Sequence, residues 1–182
     1  MLKKILISLG VVVVLLVAAY FYLDNRNRTL SPRGAANLTN GELTVDITYS
    51  RPSVRDRLIF GTEEDEALQP YGKYWRLGAN ESTEVTFSQD VLLVDQPVKK
   101  GTYRMYAIPG PQYFELRLNS ELGEWGAFEA DSELDILSVM IPVLPSEHTE
   151  QFTIALEPLY DTGVKIVFKW DKIKMEVPVI TE

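Results

Sequence analysis

Between Tyr49 and Thr83 the chain concentrates side chains suited to holding a charged or hydroxyl-rich ligand. Arg51, Arg57 and Arg76 offer forked guanidinium donors that match carboxylate or phosphate, and Trp75 offers an apolar stacking face. Asn80, Glu81 and Thr83 can fix orientation by hydrogen bonding. The order is Tyr49-Ser50-Arg51-Pro52, then Arg55, Arg57 and Phe60-Gly61, then Tyr71-Gly72-Lys73-Tyr74-Trp75-Arg76-Leu77-Gly78-Ala79-Asn80-Glu81-Ser82-Thr83. The same residues have an architectural use, with Trp75 in a core, Arg76 paired to Glu81 or another acid, and Gly78 at positive φ.

Other signals resolve more simply. Asp161-Thr162-Gly163 matches the triplet of aspartic proteases, but it occurs once and joins two alternating runs, as a hairpin turn does. The four acids Glu63-Glu64-Asp65-Glu66 are consecutive, so their carboxylates diverge and a solvated loop is expected rather than a calcium site. His148 lies in a polar stretch with no nucleophile assigned to it. No catalytic residue, metal-ligand set or cofactor is expected.

These residues must be positioned by strands. Alternation of apolar and polar residues appears at Leu43/Val45/Ile47/Tyr49 and again at Val85/Phe87, Tyr103/Met105/Ala107 and Phe114/Leu116/Leu118. It returns at Leu137/Val139/Ile141/Val143, Phe152/Ile154/Leu156, Val164/Ile166/Phe168/Trp170 and Met175/Val177/Val179. Turn residues separate the runs at Asn40-Gly41, Lys100-Gly101, Pro109-Gly110-Pro111 and Asp161-Thr162-Gly163. The expectation is an all-β, jelly-roll-like β-sandwich of about eight or nine strands over residues 40–182, with a partly closed barrel as the alternative.

The leader is different. Lys3 and Lys4 precede an uncharged run from Ile5 to Leu23, whose nineteen residues span about 28 Å as a helix, close to a bilayer's hydrocarbon core. Tyr20 and Tyr22 suit its interfacial end. Residues 1–23 therefore read as a single membrane anchor, with the amino end in the cytoplasm and the body beyond the inner membrane, facing the periplasm. Cleavage near Ala19 of a secretory signal is the alternative. Residues 24–39 read as a stalk, being polar and carrying Pro32 and Gly34. Of 182 residues, 46% are apolar, enough for a core, and the absence of cysteine excludes disulfides and thiolate sites. A net charge of −8 argues against nucleic acid as a partner.

The segments Tyr49–Pro52, Tyr74–Thr83 and Gly101-Thr102-Tyr103 through Ile108-Pro109 resemble the bacterial family catalogued as Domain of Unknown Function 2911, whose pattern runs Y-S-R-P, W-R-x-G-A-N-E-x-T and A-G-T-Y-x-x-x-x-I-P. The likeness extends from about Ser31 to Val179, including Asn119 and Trp125-Gly126, and departs at Asp56 and Lys100, where the family usually has Gly and Ala. It implies a predominantly β, exported domain of Bacteroidetes-type bacteria and no activity. The expected role is a non-enzymatic envelope module that binds a small ligand or protein partner through Arg51, Arg57, Trp75, Arg76, Asn80, Glu81 and Thr83. The alternatives are an accessory subunit of an inner-membrane complex and a hydrolase pairing Glu81 with a distant acid.

Overall fold

Alternation becomes strand wherever one face can be buried. In β2 (Leu43–Ser50) Leu43, Val45, Ile47 and Tyr49 turn inward while Asp46 and Thr48 face out. β1 (Arg33–Asn40) pairs with β2 without a register break, from Arg33↔Ser50 to Asn40↔Leu43, and the chain reverses at Gly41, whose φ of 61° suits glycine. The computed structural model describes residues 2–182; Met1, counted in the expected anchor, lies outside them.

The remaining strands are β3 (Phe60–Gly61), β4 (Gln69–Pro70), β5 (Thr83–Phe87), β6 (Val91–Leu93), β7 (Gln96–Val98), β8 (Gly101–Ile108), β9 (Tyr113–Asn119), β10 (Asp135–Pro142), β11 (Leu144–Leu159) and β12 (Gly163–Thr181). One antiparallel sheet has the order β1-β2-β5-β8-β9-β10, a second has β11-β12-β6-β7, and β3-β4 form a small parallel pair. The architecture is the expected sandwich. Its twelve strands exceed eight or nine because β3, β4, β6 and β7 are two or three residues long, too short for alternation to declare them.

The two sheets bury one continuous core. Val85, Met105, Leu116 and Val139 come from the first sheet; Ile154, Ile166, Val177 and Val179 come from the second. At one end the filling is aromatic. Trp75, only 2% exposed, stacks on Trp170 with centroids 5.8 Å apart at 19°, and Phe60, Phe114 and Phe152 meet it edge-on. Trp75 belongs to no long strand. Two backbone hydrogen bonds of 2.8 Å, Trp75 N–H to Ala107 O and Ala107 N–H to Trp75 O, pin it to β8 just past the end of β5.

α1 (Leu2–Leu30) contains the whole apolar run and is long and apolar enough to cross a membrane, with none of that window buried in the protein. The stretch expected as a stalk has defined structure. Residues 24–30 continue the helix, helped by the i,i+4 ion pair Asp24–Arg28 at 2.9 Å. Pro32 disfavours helix at Ser31, and the chain then enters β1 directly. The small residues of β1 give a faint alternation, so only its pairing with β2 makes it a strand.

Replacing Trp75 by Ala removes the keystone of the aromatic end, with an expected loss of about 3–5 kcal/mol in chemical denaturation of the micelle-solubilised chain, followed by far-UV circular dichroism. Trp75→Phe, which keeps a ring in the cluster, should lose distinctly less.

Candidate functional site

Pinning Trp75 determines where its neighbours go. Arg76 leaves the core, and the chain then makes a tight turn with Leu77 at φ 52°, Gly78 at 152° and Asn80 at 59°. A Cβ at Gly78 would stand 2.7 Å from Ser50 O, so only glycine fits against β2 there. The buried Thr83 hydroxyl donates to Leu77 O at 2.7 Å and closes the turn. Residues 80–82 pair with the 124–126 loop through Gly126 N–H to Asn80 O at 2.9 Å and Ser82 N–H to Glu124 O at 3.1 Å. Gly126 makes room for Arg76, because a Cβ there would fall 2.8 Å from Arg76 Cδ.

The result is a groove of about 350 Å³ where the end of α1 meets the sandwich. Arg55, Arg57, Arg76, Asn80 and Trp125 line it, with Asn27, Leu30 and Ser31 on the helix side, and no Asp or Glu lines it. Arg55 donates to Leu30 O at 2.9 Å, and Arg57 donates to Val54 O and Ser53 O at 3.0 and 2.6 Å. Among the described residues none of the three guanidiniums is paired with a carboxylate, and the half-buried Arg76 has no side-chain hydrogen-bond partner. Burial pushes the Arg76 pKa down and the nearby Arg104 charge adds to this, while Tyr74 opposes it. Arg55 and Asp56 both hold positive φ, which explains why the resemblance expects glycine at position 56.

Glu81 faces away from the groove. It accepts from Arg28 at 2.8 Å and from Arg33 at 2.7 Å, tying the helix end and β1 to the domain. Burial pushes its carboxyl up, but hydrogen bonds from Arg33, its own backbone and Arg28 outweigh that and hold it below the usual carboxylate range. A general acid needs the opposite shift. A second cleft of about 510 Å³ beyond Glu81 mixes Arg33 with Glu81, Glu84 and Glu124.

The seven expected site residues therefore divide. Arg57, Arg76 and Asn80 share the groove. Trp75 does not reach it, being core. Arg51 lies across β1 against Gly34 and donates to Thr153 Oγ1 on β11 at 3.2 Å, bridging the two sheets. Glu81 is the helix clamp and Thr83 a turn lock. Two further residues line the groove: Arg55, which the sequence places in the same arginine-rich segment but outside the seven, and Trp125, which arrives from a segment distant in sequence.

Also missed is a polar layer on the outer face of β8–β10. Arg104, fully buried, donates to Tyr74 Oη at 2.7 Å, to Glu121 Oε2 at 3.0 Å and to Phe128 O. Asp135 accepts from Tyr106 at 2.7 Å, Asn119 at 2.8 Å and Arg117 at 3.0 Å. Alternation places these residues on a wet face; the covering 120–131 loop has no sequence signal. Elsewhere, Asp161 and Thr162 are the exposed turn between β11 and β12, the acids 63–66 are exposed, and exposed His148 meets only Asp171 and Glu150. Among the described residues no three His, Asp or Glu side chains converge to hold a metal.

Over residues 31–179 the chain matches the family profile described as a protein of unknown function (DUF2911). Comparison with curated proteins and with solved structures finds no match.

Two pH effects follow. Depression of the Glu81 carboxyl makes its contribution complete above the ordinary carboxylate range and lost as pH falls below it, so acid should loosen α1 from the domain. Protease cleavage near residues 30–32 at acid pH reads this out, and Glu81→Gln should bring the same sensitivity to neutral pH. Burial and the Asp135 hydrogen bond push the Tyr106 phenol from 10.0 up to about 12. A raised phenol stabilises fully below its unfolded value and loses that contribution as pH climbs to about 12. The melting temperature should therefore drop across this window, and Tyr106→Phe should flatten the drop.

Proposed function

We propose that this chain, which belongs to the DUF2911 family of proteins of unknown function, is a membrane-anchored module that binds an anionic ligand in the groove of Arg55, Arg57 and Arg76. The anchor is the apolar run 5–23 of α1, retained as a single span with the sandwich on the periplasmic side of the inner membrane.

The observation that carries the reading is the unbalanced charge of the groove. In a chain of net charge −8, three arginines line one groove with no acid in its lining and no guanidinium paired to a carboxylate. The nearest acid, Glu150, accepts from the Arg55 backbone N–H at 3.1 Å, and Arg76 is half-buried without a side-chain partner. Desolvating a cation without a counter-charge is costly, and a bound anion offsets that cost. Guanidinium forks suit the oxygens of phosphate or carboxylate, and the Asn80 amide, which already donates to Ser31 O at 3.1 Å, sits at the rim. Hydrolysis by paired carboxylates finds no support at Glu81, which is already neutralised by two arginines. The accessory-subunit reading has a weaker basis. The exposed Tyr113, Ile136 and Met140 on the outer face of β9 and β10 are interspersed with Glu115, Arg117 and Ser138.

Inorganic phosphate tests the reading. For the full chain in neutral detergent, phosphate should raise the melting temperature beyond a sodium chloride control of equal ionic strength. A concentration ten times Kd is worth about 1.4 kcal/mol. Arg76→Gln should abolish the increment without lowering the melting temperature in chloride. No increment in the parent chain, or an unchanged one in Arg76→Gln, refutes the assignment.

A further inference from the structure

The groove lies at a defined height along the helix. The apolar run ends at Leu23, and the groove's helix wall is formed by Asn27 and Leu30, four and seven residues further on. At about 1.5 Å per residue that is roughly 6–10 Å beyond the hydrocarbon edge. The headgroup layer of one leaflet is about 5–7 Å deep, so the groove opens at its outer boundary. This height is fixed by bonds, not by a tether. Arg28 is held by Glu81, Leu30 O accepts from Arg55, Ser31 O accepts from Asn80, and Pro32 O accepts from Arg51 N–H at 2.8 Å. Two groove residues are thus also groups that dock the helix.

Composition matches the position. Trp125, 37% exposed, stands in the groove wall where an indole meets the headgroup region, and guanidinium forks pair with phosphate oxygens. The body is otherwise acidic and is repelled by an anionic bilayer; the acid-free groove is where attraction can act.

We infer that the anion taken by Arg55, Arg57 and Arg76 is the phosphate of an anionic phospholipid, one whose headgroup carries no compensating cation, in the leaflet from which α1 emerges. The inference rests on the anion-binding reading and on α1 spanning the bilayer. Helix and groove then grip one bilayer together, the groove holding a lipid beside the anchor and setting the tilt of the sandwich over the membrane.

The test is native mass spectrometry of the full chain released from nanodiscs of phosphatidylglycerol and phosphatidylcholine mixed one to three. Adducts should carry phosphatidylglycerol on the order of tenfold above the mixing ratio. Arg57→Gln with Arg76→Gln should return adducts to the mixing ratio. Lys73→Gln, outside the groove and ion-paired to Glu63 at 3.4 Å, should keep the enrichment. Because the Arg57 guanidinium also braces a turn, Arg57→Lys with Arg76→Lys is run in parallel: it keeps both charges and should retain most of the enrichment. Enrichment that survives the Gln pair in a chain of normal melting temperature overturns the assignment, since another surface then holds the lipid. Absent enrichment together with an intact phosphate increment in melting temperature also overturns it, leaving a soluble anion as the ligand. Loss of both removes the anion-binding reading as well.

Discussion

Trp75 between the sheets is the constraint on which the rest depends. Its ring occupies the aromatic end of the core, and its two backbone bonds to Ala107 fix the chain direction there. With the indole inside, Arg76 must emerge at the end of the sandwich and the turn through Gly78 must press on β2. Asn80 and Glu81 then fall on opposite sides of a narrow ridge, one toward the arginine groove and one toward the helix clamp. A packing requirement thereby sorts polar residues that are adjacent in sequence into different tasks.

The arginines divide by the partners they meet. Arg28, Arg33, Arg104 and Arg117 each meet a carboxylate and join elements of the fold. Arg55, Arg57 and Arg76 meet none, and two of them satisfy only backbone carbonyls. Paired arginines need nothing further; an unpaired, partly desolvated one is open to a ligand. The distinction lies in side-chain geometry and not in residue type.

That explains what the sequence could and could not reveal. The long strands were legible because β2, β9, β10 and the core-facing stretches of β11 and β12 bury alternate residues. β8 was legible because it alternates in sequence at Tyr103, Met105 and Ala107, even though Arg104 and Tyr106 between them are buried as well. The leader was legible because nineteen uncharged residues have few other uses. The polar helix extension was not, because its support is a side-chain pair and a contact with Glu81, fifty-three residues away. Nor was the polar layer around Arg104, which reads as a solvent face until a loop covers it. At the groove the sequence pointed to a segment that supplies Arg57, Arg76 and Asn80 to its lining. It could not separate them from Trp75, Arg51 and Thr83, because partners such as Thr153 and Trp170 come from distant strands.

β12 lies in the interior of the second sheet, hydrogen-bonded to β11 on one side and β6 on the other, and it carries Trp170. It also follows every other described strand in chain order. During synthesis the first sheet can assemble from local hairpins, while Trp75 waits with one aromatic wall missing. The groove beside it gains its final form only when residues 163–181 arrive, because Trp170 is part of its lining, so a nascent chain stalled before them carries the apolar helix and the three arginines but not the completed groove.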